Sequence, residues 1–355
     1  MKGRIAGLAI LVLVIAAAFV YQSLLGPGFQ ETAINGYLGG EKSGLFEDER
    51  FARAMAKKHG ISVHYKKAGS IDMVSAPLEG MDYLFPSSYT ALELYKQKYG
   101  PAYKRAEVVF NSPIVLYARK TVAQAFKQQG WAHTEGETDY IDLRKLIDAV
   151  LADTRWSAIG LDELYGNIFV ISTDPLKSNS GNMFAGLVAN MLGGGEVADG
   201  ESLEKNGREL KRFFRKLGYL ESSSADLFNS FLKTGIGAKP VIVGYESQIL
   251  EFSARHPEDW KYVKDDIAVL YPEPTVWSAH PFIALSENGE RVMDALLGEE
   301  IQALAWETHG FRTGIASGQA ADKAFDIQGV PGQVKKVIQL PNPDAMRKIM
   351  DIIAH

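Results

Sequence analysis

Two long extended segments, each interrupted by proline, constrain the fold of this chain most. Residues 107–118 read EVVFNSPIVLYA, with one proline in the middle, and residues 266–285 read DIAVLYPEPTVWSAHPFIAL, with three. Because proline cannot donate to a sheet ladder, each segment is predicted to leave one sheet and enter another. Two such crossings predict two lobes, with the first lobe built from both ends of the chain.

The rest of the chain alternates short β-like runs with helical stripes. Apolar residues recur at the helical period in stripes such as Phe184, Leu187, Val188 and Met191. This alternation predicts an α/β fold in which each lobe is a mostly parallel sheet flanked by helices. Lobe 1 is predicted to comprise residues 27–114 plus 275–355, and lobe 2 residues 115–274. The β-like runs are 33–38, 61–65, 81–85, 107–118, 167–172, 240–244 and 266–271.

Residues 1–26 are predicted to be a targeting segment. Lys2 and Arg4 precede an uncharged apolar run from Ile5 to Leu25. This run is long enough to span a bilayer, and it also fits a cleaved signal peptide, so both alternatives stay open. In either case, the positive charges predict that the rest of the chain is exported, to the periplasm or the outer face of the cytoplasmic membrane.

Composition narrows the classes of function. The chain has no cysteine, which excludes disulfides, thiol catalysis and a lipid anchor on cysteine. Without residues 1–26, 36 basic side chains face 43 acidic ones, a net charge of −7. An acidic exported domain of this kind is a poor candidate for binding nucleic acid.

Hydroxyl-bearing loops follow three of the predicted strands and precede helices. The first is GGEKSG at 39–44, the second is Pro86-Ser87-Ser88, and the third lies within STDPLKSNSGNMFAGL at 172–187. Free N–H groups and the positive end of the helix dipole point out of a helix N-terminus. Three such loops predict a site for a polar or anionic ligand, although each serine could simply cap its helix.

The third loop carries the most detailed prediction. We expect its helix to begin at about Asn182, with Ser180 as the cap and with Ser178, Asn179 and Gly181 facing a ligand. A fourth loop, Tyr245-Glu246, follows the strand at 240–244. Tyr245 could close over a ligand, or the loop could be an ordinary helix start with an acidic first turn; both interpretations stay open.

No pattern in the sequence indicates catalysis, a metal or a cofactor. GYLGGEKS fails as a phosphate-binding P-loop because Glu41 separates Gly40 from Lys42. There is no Gly-x-Ser-x-Gly, and no histidine pair has metal-ligand spacing. His280 and His309, next to Pro281 and Gly310, are predicted to be structural.

Several motifs together resemble a known class of protein. The export segment, the two crossings, TDPLKSNSG, VIVGYESQ and YPEPTVWSAHPFIAL followed by HGFR are similar to extracytoplasmic solute-binding proteins of the type II periplasmic-binding class. Within this class, the order of motifs over residues 31–315 is most similar to that of the molybdate- and sulfate-type oxyanion binders. The chain departs from those binders in GGEKSG, where they usually have a hydroxyl-rich run.

The resemblance implies a function and a set of site residues. Such proteins clamp a small polar or anionic solute between two lobes and deliver it to the membrane permease of an ABC-type transporter, without catalysis or a cofactor. We expect a monomer, apart from membrane tethering. The implied ligand-binding residues are Lys42, Ser43, Ser87, Ser88, Ser112, Ser178, Asn179, Ser180, Gly181, Tyr245 and Glu246.

Two other functions are compatible with the sequence. The apolar N-terminus without a lipid-anchoring cysteine also fits a membrane-tethered sensor or assembly factor that binds a partner protein. An enzyme that uses the cleft is a weaker alternative, since no catalytic pair stands at a recognisable spacing.

Overall fold

A computed structural model describes residues 31–313, 325 and 327–355 of the chain. The predicted targeting segment at 1–26 lies outside these residues. Within them, no helix has the length and apolar character needed to cross a membrane. The strands are β1 Thr32–Leu38, β2 Ile61–Lys67, β3 Tyr83–Phe85, β4 Arg105–Arg119, β5 Ala132–Glu135, β6 Thr138–Ile141, β7 Val241–Tyr245, β8 Ile267–Pro272 and β9 Trp277–Ala284.

The two predicted crossings organise the sheets. The strand order is β2-β1-β3-β9-β4-β8-β6-β5, and β7 pairs with β4 off this path. The first half of β4 pairs with β9, and its second half pairs with β7 and β8 in another sheet. The chain therefore passes between the lobes along β4 and again between β8 and β9, as the prolines predict.

The sheets combine parallel and antiparallel pairs, and the α/β architecture is confirmed. In lobe 1, β1 runs parallel to both β2 and β3, while the crossing strands β4 and β9 are antiparallel. In lobe 2, β6 is parallel to β8, and β5 and β6 form a hairpin that the sequence interpretation missed. The predicted strand at 167–172 forms only isolated bridges, such as that between Ile171 and Ile242.

Helices cover both lobes. Short single turns lie at Gly40–Lys42 and Trp156–Ile159, and a π-helical turn lies at Met55–His59. The helices are α1 Ser43–Phe46, α2 Glu49–Ala54, α3 Asp72–Ser75, α4 Tyr89–Tyr99, α5 Lys120–Gln128, α6 Leu143–Leu151, α7 Asn179–Leu192, α8 Gly200–Lys216, α9 Ser224–Lys233, α10 Glu246–Arg255, α11 Pro257–Val263, α12 Glu287–Leu297, α13 Glu299–Glu307 and α14 Pro343–Ala354.

Each lobe buries its own apolar core. In lobe 1, Phe46, Phe85, Phe110 and Phe282 pack between the sheet and helices α12 and α13. In lobe 2, the apolar stripe of α7 packs with α6 and α8, and every residue of α7 is buried. A helix buried on all sides holds a fixed position, and α7 begins at the cleft between the lobes.

The C-terminal helix corrects the predicted lobe boundary. Residues 275–355 were expected in lobe 1, but α14 packs on α7 and α8 of lobe 2, where Met346 and Ile349 join the core. The apolar stripe of α14 fits there because Gly186 has no side chain: a Cβ atom at this position would come within 2.8 Å of Leu340 and 3.0 Å of Met346. Lobe 1 therefore ends before the tail, and the last helix completes lobe 2.

Candidate functional site

A cleft of about 450 Å³ lies between the lobes at the carboxyl end of β1. Loops from lobe 1 at 39–41 and 67–72 form one wall. Residues 177–179 and 222–224, together with Tyr245 of lobe 2, form the other. Ligands bind at this kind of position in open parallel sheets, because strand ends and helix N-termini converge there.

Lys42 is fully buried and contacts Glu41, which lines the cleft. We use the term cleft floor for the buried cluster that Glu41 forms with Lys42, Ser87, Ser278 and His280. The Lys42 Nζ atom contacts the Glu41 carboxylate, lies 2.9 Å from Ser87 Oγ and 3.3 Å from His280 Nδ1, and sits over the Phe85 ring. Burial lowers the pKa of Lys42, and the Glu41 charge opposes this shift. The ammonium group is thus held by lobe 1 itself.

Glu41 is the acidic partner in this cluster. Its carboxylate Oε1 accepts from Lys42 and from the Ser87 hydroxyl. Burial alone would raise the pKa of Glu41, but the charge of Lys42 and the hydrogen bonds from Lys42 and Ser87 outweigh it and lower the pKa to about 2. The carboxylate is therefore ionised at any physiological pH.

His280 completes the cleft floor as a neutral side chain. Burial, and then the charge of Lys42, hold the pKa of His280 well below its usual range. Its Nδ1 atom can then accept from Lys42, while Nε2 lies 3.1 Å from Ser278 Oγ. The Ser278 hydroxyl donates to the Ser87 carbonyl at 2.8 Å, which fixes this serine as the acceptor from Nε2–H.

Asn179 brings lobe 2 onto this floor. It is the first residue of α7, and its Nδ2 atom donates to the Ser87 carbonyl at 2.8 Å and to Tyr245 Oη at 3.0 Å. Its Oδ1 atom is buried without a hydrogen-bond partner. A buried acceptor in this condition costs about 1–3 kcal/mol.

The start of α7 differs from the prediction. The helix begins at Asn179 rather than near Asn182, and Ser178 is the N-cap residue, without a side-chain capping bond. Ser180 was expected as the cap, but it is buried with its Oγ 2.7 Å from Thr173 Oγ1. Gly181 packs directly on this turn, since a Cβ atom there would lie 2.2 Å from the Thr173 carbonyl oxygen.

The other predicted serines hold the loops together. Ser43 Oγ donates to the Gly40 carbonyl at 2.5 Å, and Ser88 caps α4 by accepting from Thr90 N at 3.1 Å. Ser112 Oγ, on the crossing strand, accepts from Ser247 N at 3.1 Å. Of the predicted site residues, Ser178, Asn179 and Tyr245 line the cleft, and Lys42 and Ser87 form its floor.

Glu246 is engaged elsewhere. Arg312 Nε donates to Oε1 at 2.6 Å, Arg312 Nη2 donates to Oε2 at 2.9 Å, and Tyr271 Oη donates to Oε2 at 2.5 Å. Both of its oxygens therefore serve a buried ion pair that joins α10 to the segment after α13. Tyr245 remains a neutral phenol, because burial and then the Glu41 charge raise its pKa.

The sequence interpretation missed Glu41, Ser278, His280 and Arg312. Glu41 was noted only as the residue that breaks a P-loop spacing. Its adjacency to Lys42 in a glycine-bearing loop after a buried strand was a usable signal. The partners Ser278, His280 and Arg312 lie too far along the chain for spacing to connect them.

Comparisons with known proteins show the fold. A periplasmic thiamin-binding protein has a TM-score of 0.58 at 10% identity, with 92% of this chain and 97% of that chain covered. The substrate-binding protein of an ABC transporter from Agrobacterium tumefaciens gives 0.57 at 12% identity, covering 93% and 96%. The sulfate-binding protein SubI from Mycobacterium tuberculosis H37Rv gives 0.50 at 16% identity, covering 87% and 94%.

The chain thus has the two-lobed type II periplasmic-binding fold. No protein-family model and no curated protein sequence matches the chain.

Proposed function

We propose that this protein is an extracytoplasmic solute-binding protein, without catalysis, that holds a small polar solute between its lobes and delivers it to an ABC-type permease. The observation that carries the proposal is the interlobe cleft, in which Asn179 of lobe 2 contacts the Ser87 carbonyl of lobe 1 and keeps one buried acceptor unsatisfied. The thiamin- and sulfate-binding proteins of the same fold support this class of function.

Closure and release follow from the hinge. The lobes are connected along β4 and between β8 and β9, so small backbone changes there would open the cleft. A solute that bonds to both walls stabilises the closed form, and the permease would recognise that form. We further propose that residues 1–26 export or tether the chain for this purpose.

For the narrower prediction of an oxyanion or small polar anion as the solute, one feature of the site is favourable and one is not. The first turn of α7 supports it, because the N-terminal N–H groups and the dipole of that helix favour negative charge at the cleft. Lys42 does not support it, since its ammonium group is engaged with Glu41.

Ligand-dependent stabilisation of the full chain tests the proposal. Thermal denaturation would be followed with panels of oxyanions, amino acids and sugars; a ligand at 100 times its Kd adds about 2.7 kcal/mol of stability. If no compound in any panel stabilises the protein against thermal denaturation, solute binding is contradicted. Full biological function of a Ser43→Ala, Ser88→Ala, Ser180→Ala variant would instead favour the sensor or assembly factor.

A matched pair of variants locates the site. Asn179→Ala should weaken binding at least about tenfold, because it removes a cleft-lining amide. Asn182→Ala, one turn deeper in the same helix, removes a buried amide that bonds to the Pro175 carbonyl and Met350 instead. Equal affinities in the two variants would place the ligand outside this cleft.

A further inference from the structure

The protons on the cleft floor are all engaged. An ammonium group has three donors, and Lys42 directs them to Glu41, Ser87 and His280. The Ser87 hydroxyl donates to Glu41, and the Ser278 hydroxyl donates to the Ser87 carbonyl. An oxyanion that reached this floor would find none of these donors free.

Glu41 occupies the position that an anion would take. Its Oε1 atom accepts from both a buried ammonium group and a serine hydroxyl, which is a favourable environment for a bound carboxylate or sulfate. Gly39 makes room for it: a Cβ atom at this position would lie 2.5 Å from Glu41 Oε1 and 2.8 Å from Ser87 Oγ.

Two acceptors are left over, one on each wall. None of the described residues donates to Glu41 Oε2, although Glu41 lines the cleft. Across the cleft, Asn179 Oδ1 is buried and unpartnered. A solute that satisfies both atoms must bring hydrogen-bond donors.

We propose that Glu41 sets the class of solute: its carboxylate replaces an oxyanion on Lys42 and Ser87, and with Asn179 Oδ1 it accepts from an ammonium or hydroxyl group of the ligand. This inference rests on the proposed solute-binding function. Since the pKa of Glu41 is about 2, the acceptor keeps its charge at neutral pH.

Removing the Glu41 side chain tests the first half of the inference. In Glu41→Ala, the Lys42 and Ser87 donors become free, and there is space for a small anion. Sulfate and formate should then bind about 100-fold more tightly than to the wild-type protein, the gain expected from two newly available donors to a charge. Glu41→Gln is the matched control, because it removes the charge but still fills the space, and it should gain no such binding.

Ligand panels on the wild-type protein test the second half. Amine-bearing amino acids and polyamines form one arm, sugars and polyols a second, and sulfate, phosphate and molybdate a third. Binding in either of the first two arms, with none in the third, supports the inference and identifies the donor as ammonium or hydroxyl.

Results that overturn the assignment of ligand class differ from the result that overturns solute binding. Sulfate binding to the wild-type protein as tight as to Glu41→Ala overturns the inference and leaves solute binding intact. The inference is also overturned if Glu41→Ala is folded but binds neither sulfate nor formate. If Glu41→Ala unfolds, recovery of its cooperative melting transition in formate supports the inference, and failure to recover contradicts it. If the wild-type protein binds no compound in any of the three arms, the proposed function is contradicted, and the assignment of a ligand class to Glu41 is contradicted with it.

Discussion

Strands β1 and β7 are each followed by a glutamate with a buried side chain at the border of the lobes, yet the two side chains are used differently. Glu246 has both oxygens bonded, to Arg312 and to Tyr271. Glu41 lines the cleft and accepts through Oε1, and none of the described residues donates to its Oε2. The comparison shows that position after a strand does not decide whether a carboxylate serves the fold or a ligand; the number of donors that the fold supplies decides it.

The largest expected effect is at Glu246. Glu246→Gln should lower the free energy of unfolding by about 3–5 kcal/mol, because it leaves the buried Arg312 charge unpaired. Urea denaturation measures the change. The double variant Glu246→Leu, Arg312→Met removes both charges and should recover much of the loss; a double variant as unstable as the single one would contradict the ion-pair explanation.

The next effect is the dependence of stability on pH at Glu41. Its pKa is lowered in the folded state from 4.5 to about 2, so its contribution is complete above pH 4.5 and is lost as the pH falls towards 2. The shift corresponds to about 3 kcal/mol. Denaturation of the wild-type protein and Glu41→Gln between pH 6 and pH 2 isolates this contribution, and parallel curves for the two proteins would show that Glu41 is not held as described.

A smaller effect on stability is expected at Ser112, the serine that supports the first turn of α10. Ser112→Ala removes the acceptor of Ser247 N, which is buried in the first turn of α10, and should cost about 1–2 kcal/mol. Thermal or urea denaturation detects a loss of this size. A neutral result would mean that Ser247 N finds another partner.

The smallest effect is expected at the serine of the β1 loop. Ser43→Ala removes a bond to the Gly40 carbonyl, which still accepts from the backbone N–H of Ser43. The loss should be about 0.5 kcal/mol or less, at the low end of single hydrogen bonds. A loss of stability as large as that of Ser112→Ala would contradict the expectation that the Ser43 hydroxyl contributes less than the Ser112 hydroxyl.

Local patterns predicted most of the fold and part of the site. The α/β architecture and both crossings follow from apolar periodicity and from proline, which act on neighbouring residues. The three hydroxyl loops were found for the same reason. Asn179 and Tyr245, both predicted as ligand contacts, do line the cleft, although their role in binding stays a prediction.

Long-range pairing explains what the sequence could not predict. Lys42 was expected to reach a ligand, but it contacts His280, which lies on β9, more than 200 residues later in the chain. Arg312, in the segment after α13, likewise donates to Glu246. The start of α7 was misplaced because Thr173, in the segment before the helix, is hydrogen-bonded to Ser180 and removes it from capping. The tail was assigned to lobe 1 because its apolar stripe does not reveal which lobe it covers.

The packing of α14 on α7 and α8 also affects the order in which the molecule can fold. Lobe 1 lacks β9, α12 and α13 until residues 277–307 are available, and lobe 2 lacks part of its core until Met346 and Ile349 are available. Lobe 1 can therefore complete its core before α14 is available, whereas lobe 2, although most of its residues come earlier in the chain, has to wait for this helix.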